Sequence, residues 1–141
     1  MIWRKANFII STEKKHVDID ILHKMLKNSH WAKDRSRKEI EASVTNSLCF
    51  SLLRDKDQIG FARVITDTMA YAIILDMLIG EGLRGQGLGK WLIQCICDYP
   101  EIKSLRQVLW TSNADNFYRK KGFKELSNLK FMARNWKMQV P

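Results

Sequence analysis

The chain has 141 residues, 45% hydrophobic and 28% charged, which suits one folded domain and excludes both a disordered chain and two ordinary domains. Its formal charge of +9, from 24 Lys+Arg against 15 Asp+Glu, favours an anionic partner: nucleic acid, an acidic membrane surface or a phosphorylated cofactor. The basic residues are spread along the whole chain, no zinc-finger or RNA-binding strand motif occurs, and no apolar run approaches the ~20 residues of a membrane span. Neither a nucleic acid nor a membrane is therefore the expected partner.

Residues 3–11 read as a first strand, with Phe8, Ile9 and Ile10 at its apolar end. From Val17 the period changes: Ile19, Leu22, Met25 and Leu26 recur at helical spacing and predict a helix over 16–27 with one buried stripe. A break over 28–34 carries His30 and Trp31. Ser36 and Glu39 form a capping box, in which the Ser oxygen accepts the amide three residues on and the Glu reaches back. It opens a second helix that runs to about Asn46.

Three strands are predicted next, over 48–53, 59–66 and 71–79. The last is nearly continuous apolar sequence, as expected of a central strand covered on both faces. Residues 80–87 interrupt it with four glycines, Gly80, Gly82, Gly85 and Gly87. Leu88, Trp91, Leu92, Cys95, Ile96 and Tyr99 then give the clearest helical pattern in the chain. Residues 108–110 predict a short strand, 112–121 a short helix ended by Gly122, and 123–137 a closing strand. The order β-α-α-β-β-β-α-β-α-β predicts an α/β fold with a mixed sheet.

The cysteines are Cys49, Cys95 and Cys97. Helical residues two apart point to different sides, so Cys95 and Cys97 are not placed to clamp one metal. No metal site is expected, and buried reduced thiols fit a cytoplasmic protein. The first residues lack the apolar core of a signal peptide.

The chemistry-bearing segment runs from Asp76 to Trp91. A buried strand enters a glycine-rich turn, and the turn enters an amphipathic helix. Glycines let main-chain amides approach a phosphate without Cβ interference. The first helical turn offers unpaired N–H groups and a positive dipole end. Arg84 and Lys90 add charge beside it. A Rossmann fingerprint fails, because its third glycine would stand at Lys90. A P-loop fails too, with Arg84 where its first Gly is needed and Trp91 after Lys90.

What remains is R-x-x-G-x-G at Arg84, Gly87 and Gly89, which resembles motif A of the GNAT superfamily of N-acetyltransferases. The later segment Asn113, Ala114, Asp115, Asn116, Phe117, Tyr118, Arg119, Lys120, Lys121, Gly122 and Phe123 is similar to that family's segment of helix, Tyr, basic residues and Gly-Phe. Trp31-Ala32 through Arg35-Ser36, the run 46–50 and Gly60 through Val64 further resemble a bacterial GNAT subgroup without an assigned substrate. The resemblance implies a mixed, mostly antiparallel central sheet flanked by about four helices, in a single domain over 1–141.

It also implies acetyl-CoA as the acyl donor, without a metal, and direct attack of a primary amine on the thioester carbonyl. The implied donor contacts are Met77, Leu78 and Ile79 at a strand splay or bulge, and Arg84, Gly85, Gln86, Gly87, Leu88, Gly89 and Lys90 around the pyrophosphate. Tyr118 matches the family's general acid. The family places an Asn about six residues before this Tyr, whereas Asn113 stands five before it. A donor contact and a helix N-cap are both open for Asn113. The base is open among Asp76, Glu81, His30 and water, and for Asp76 a salt bridge to a neighbouring strand is the alternative. Arg35 is open between an acidic acceptor and solvent. A small-molecule amine is the expected acceptor, and a homodimer is open. An acyl-CoA-binding sensor without turnover and a basic nucleic-acid-binding module stand as rival functions.

Overall fold

The structure is a computed structural model that describes residues 1–137; residues 138–141, the end of the expected domain, lie outside the described residues. The chain divides into two compact units, Met1–Leu109 and a second from Trp110 onward.

The first unit is built on one six-stranded sheet whose spatial order is the chain order. Strands β1 (Ile2–Lys5), β2 (Phe8–Ser11), β3 (Leu48–Arg54), β4 (Asp57–Thr66) and β5 (Tyr71–Ile79) pair antiparallel with their neighbours. Strand β6 (Arg106–Val108) pairs parallel with β5. The expected single strand over 3–11 is a hairpin instead. Its two-residue turn, Ala6 and Asn7, puts Ala6 at φ 53°, a conformation usually signalled by Gly or Asn; the Asn stands one position later, so the turn residue is present but not at the left-handed position.

Helices α1 (Ile19–Lys27) and α2 (Arg37–Thr45) connect β2 to β3. The first starts later than the periodicity predicts, because Asp18 is extended and caps it by accepting the Ile21 N–H at 3.1 Å. The capping box of Ser36 and Glu39 forms as read, with both reciprocal bonds present. Leu22 and Leu26 of α1 and Ile40 and Val44 of α2 bury against Cys49 and Phe61 on one sheet face. Side chains alternate along β3, so Phe50 points to the other face, where it meets Trp3 and Tyr99. Helix α3 (Leu88–Cys97) connects β5 to β6, packs against β3 and β5, and buries Leu88, Leu92, Ile93, Cys95 and Ile96.

In the second unit, helix α4 (Asp115–Arg119) ends in a Schellman arrangement. Gly122, at φ 90°, donates to the Arg119 carbonyl, and Phe123 donates to that of Tyr118. Trp110, Phe131 and Trp136 gather their rings within 5.1–5.5 Å of one another. The closing strand expected over 123–137 is absent among the described residues. Phe123, Leu126 and Leu129 recur every third residue, a period that a strand cannot turn into one apolar face. No described helix is long and apolar enough to cross a membrane.

Candidate active site

Strand β5 is interrupted where the site begins. Arg63 of β4 faces Leu75 and Phe61 faces Leu78, so Ala62 stands against two residues, Asp76 and Met77. This is a β-bulge, which re-aims side chains and takes main-chain groups out of regular pairing. The splay or bulge expected near Met77, Leu78 and Ile79 therefore lies at Asp76 and Met77, with Leu78 and Ile79 just past it. Strand β6 pairs only with Tyr71, Ala72 and Ile73, so the bulged half of β5 runs beyond that pairing.

Asp76 holds the bulge at φ 52°, a left-handed conformation that is strained for a residue with a side chain, although Asp tolerates it better than most. Its carboxylate is buried, with the side chain only 2% exposed. Three donors converge on it. The Arg63 Nε and the Arg35 Nη1 each donate to Oδ2 at 2.6 Å, and the Trp31 indole Nε1 donates to Oδ1 at 2.9 Å. The Arg63 Nη1 also donates to the Ser47 hydroxyl at 3.2 Å. Burial pushes the Asp76 carboxyl up, but the Arg35 and Arg63 guanidinium groups outweigh it and hold the carboxyl below its ordinary 3.8. Asp76 is thus an ion-paired carboxylate with both oxygens engaged. That removes it from the candidate bases, since a base needs an open lone pair and a value near the working pH. The salt bridge to the neighbouring strand is the reading that holds, and Arg35 is turned to that pair.

The glycine loop follows. Gly80 extends the β4–β5 pairing by donating to the Ile59 carbonyl at 2.7 Å. Gly85 at φ 85° and Gly87 at φ 77° are left-handed. A Cβ added at either would meet nothing within 4 Å, so both border open space that a diphosphate can enter. Gly87 is the N-cap of α3 and accepts the Trp91 N–H at 3.0 Å. The N–H groups of Leu88, Gly89 and Lys90 therefore belong to the first helical turn, where no intrahelical acceptor exists for them. Arg84, Gln86 and Lys90 are exposed around them, whereas Leu88 is buried and anchors the turn. The residues present fit a pyrophosphate: main-chain donors, a helix N-terminus and two cationic side chains.

Tyr118 and Asn113 lie in the second unit. The Tyr118 ring packs edge-on against Phe117 and Phe123, and burial raises its phenol above the ordinary 10.0. Asn113 is not the N-cap of α4: Ala114 takes that position, without a side-chain cap, and donates its N–H to the Thr111 hydroxyl at 3.0 Å. His30 and Glu81 are exposed, and His30 sets its ring edge-on to Trp31 at 5.2 Å. Cys49 and Cys95 are buried, and burial pushes each thiol up to about 11.

Residues 45–125, more than half of the chain, match the family described as the acetyltransferase (GNAT) domain. The chain belongs to this acetyltransferase family. It is 30% identical over 115 residues to ycf52 of Gracilaria tenuistipitata var. liui, named as an uncharacterized N-acetyltransferase, covering 77% of this chain and 63% of that protein. Among solved structures, it resembles a protein of Xanthomonas campestris pv. campestris described as belonging to the GNAT family, with a TM-score of 0.85 and 29% identity over 93% of this chain and 96% of the other. It also shares the fold of a GNAT family acetyltransferase from Elizabethkingia anophelis solved with acetyl-CoA bound, at a TM-score of 0.65 and 20% identity over 85% of this chain and 78% of that one.

Proposed function

We propose that the chain is an N-acetyltransferase that uses acetyl-CoA as donor and a small-molecule primary amine as acceptor. The observation that carries this reading is the left-handed Gly85 and Gly87 delivering the first turn of α3 into open space directly after the bulged strand. Amides from Gly85 through Lys90 hold the pyrophosphate, with Arg84 and Lys90 adding charge. The donor supplies an acyl carbon activated by a thiolate leaving group.

Main-chain N–H groups of Leu78 and its neighbours, aimed by the bulge, polarise the carbonyl oxygen. The neutral amine attacks directly: the N–C bond forms, the C–S bond breaks, and the amine proton leaves to water or to an exposed base such as His30 or Glu81. Tyr118 gives its proton to the departing sulfur. Its raised phenol value keeps that proton in place at neutral pH.

The test is thiol release from acetyl-CoA with a panel of primary amines, beside calorimetric titration of acetyl-CoA alone. Binding with amine-dependent thiol release is expected. Binding without release for any amine would favour an acyl-CoA sensor, and no binding would overturn the reading.

A further inference from the structure

Two cations meet one anion at the bulge. The Arg35 Nη1 and the Arg63 Nε both donate to Asp76 Oδ2 at 2.6 Å, and the Trp31 indole N–H occupies Oδ1. Among the described residues no other acid pairs with either guanidinium. Glu39, in the first turn of α2, is engaged in the capping box, where it accepts the Ser36 N–H at 3.2 Å. The cluster therefore holds one positive charge in excess of its carboxylate.

The two arginines are not equivalent. The Arg63 side chain is 11% exposed, and its Nη1 is bound to the Ser47 hydroxyl. It suffices for a structural ion pair between β4 and β5. The Arg35 side chain is 27% exposed, and among the described residues only its Nη1 has a side-chain hydrogen-bond partner. Its Nε and Nη2 form one edge of a planar fork, whose two parallel N–H groups match the two oxygens of a carboxylate. Trp31, 43% exposed with its N–H tied to Asp76, supplies a fixed aromatic wall at the same carboxylate.

An acceptor seated against this edge shields it from water, and a desolvated cation without a partner is costly. A neutral amine leaves the excess charge uncovered. An amine with a carboxylate covers it, charge for charge, whereas a phosphate monoester brings about −1.5 to −2 at pH 7 and overshoots. We propose that Arg35 is a specificity-determining residue that selects a primary amine carrying a carboxylate, an amino-acid-type acceptor, by pairing the open edge of its guanidinium with that carboxylate. This deepens the acetyltransferase reading and rests on it. The contact is the same before and during acyl transfer, so it is read in KM.

The test is thiol release from acetyl-CoA with the common amino acids, β-alanine and γ-aminobutyrate, each against its own amide, and with O-phosphoethanolamine against ethanolamine. Rates are compared at equal concentrations of unprotonated amine. In the wild type, kcat/KM for the carboxylate member of the best pair should exceed that of its amide by about 10-fold or more, as a charge-assisted contact supplies. Arg35→Gln should bring that ratio to about one by raising the KM of the carboxylate member, with acetyl-CoA affinity within about threefold of wild type. Arg35→Lys keeps the charge, loses the fork, and should restore part of the preference. The wild-type ratio needs no variant and decides the matter should Arg35→Gln fail to fold. A merely structural Arg35 would lower acid and amide alike and leave their ratio unchanged. That result, equal wild-type rates for acid and amide, or a preference for O-phosphoethanolamine over every carboxylate would overturn the proposal and leave the acetyltransferase reading standing. Acetyl-CoA binding without thiol release to any amine would overturn both.

Discussion

Arg63 and Asp76 sit on neighbouring strands at the point where Ala62 faces two residues of β5, and the Arg63 Nε meets Asp76 Oδ2 at 2.6 Å. The pair lies where the sheet departs from regular pairing, and Arg35 reaches the same oxygen from the α1–α2 connection. A carboxylate this buried depends on its cations, and removing its charge leaves two guanidinium groups without their counter-ion.

Asp76→Asn is expected to lower stability by about 3–5 kcal/mol at pH 7. The folded-state value of Asp76 lies below its ordinary 3.8, so as pH falls the unfolded chain takes up the proton first. The contribution is whole above the ordinary value and is lost as pH falls through the folded value. Urea denaturation from pH 7 to pH 3 checks this: the gap between wild type and variant should stay constant to about pH 4 and then close. A gap that widens on acidification would reverse the assignment.

Gly87→Val is expected to damage the donor site in two ways. The Gly87 φ of 77° is strained for a β-branched residue and costs about 1–3 kcal/mol. The added side chain also projects into the open space beside the loop, where a Cβ meets nothing within 4 Å. Gly87→Asn separates the two effects, because Asn tolerates the left-handed region. It should hold thermal stability near wild type while weakening acetyl-CoA by about 10-fold or more in calorimetry. Full affinity in the Asn variant would place the pyrophosphate elsewhere.

Tyr118→Phe keeps the ring that packs on Phe117 and Phe123 and removes the proton. Turnover with the best amine of the panel should fall by about 100-fold, with acetyl-CoA affinity unchanged. Because burial raises the phenol above its ordinary 10.0, wild-type turnover should show no alkaline fall from this group below that pH. Wild-type turnover in the Phe variant would remove Tyr118 from the proton path.

Much of this was legible because the signals are local. The apolar run 71–79 and the capping box at Ser36 and Glu39 each fixed an element through neighbours in sequence. The glycine loop was legible for the same reason: its function depends on main-chain freedom at Gly85 and Gly87, which residue type reveals. The hairpin turn put its left-handed residue at Ala6, with a lone Asn7 beside it as the turn signal, and the every-third spacing of Phe123, Leu126 and Leu129 looked strand-like only by composition. Asp76 stood out as a charge in an apolar strand, but its partners come from 13, 41 and 45 residues away. Arg63 was the available clue: a lone cation in the buried run from Gly60 to Val64 needs an anion on an adjacent strand. Register shifts such as the one at Ala62 depend on pairing and leave no mark in either strand alone.

The most direct measurement is the proton–nitrogen spectrum of the main chain during titration with acetyl-CoA. A pyrophosphate gripped by the loop should shift the amides of Gly85, Gln86, Gly87, Leu88, Gly89 and Lys90 more than those of helix α2, which packs with α1 against Cys49 and Phe61. Unmoved loop amides at a saturating dose would contradict the donor site and the acetyl-CoA reading built on it.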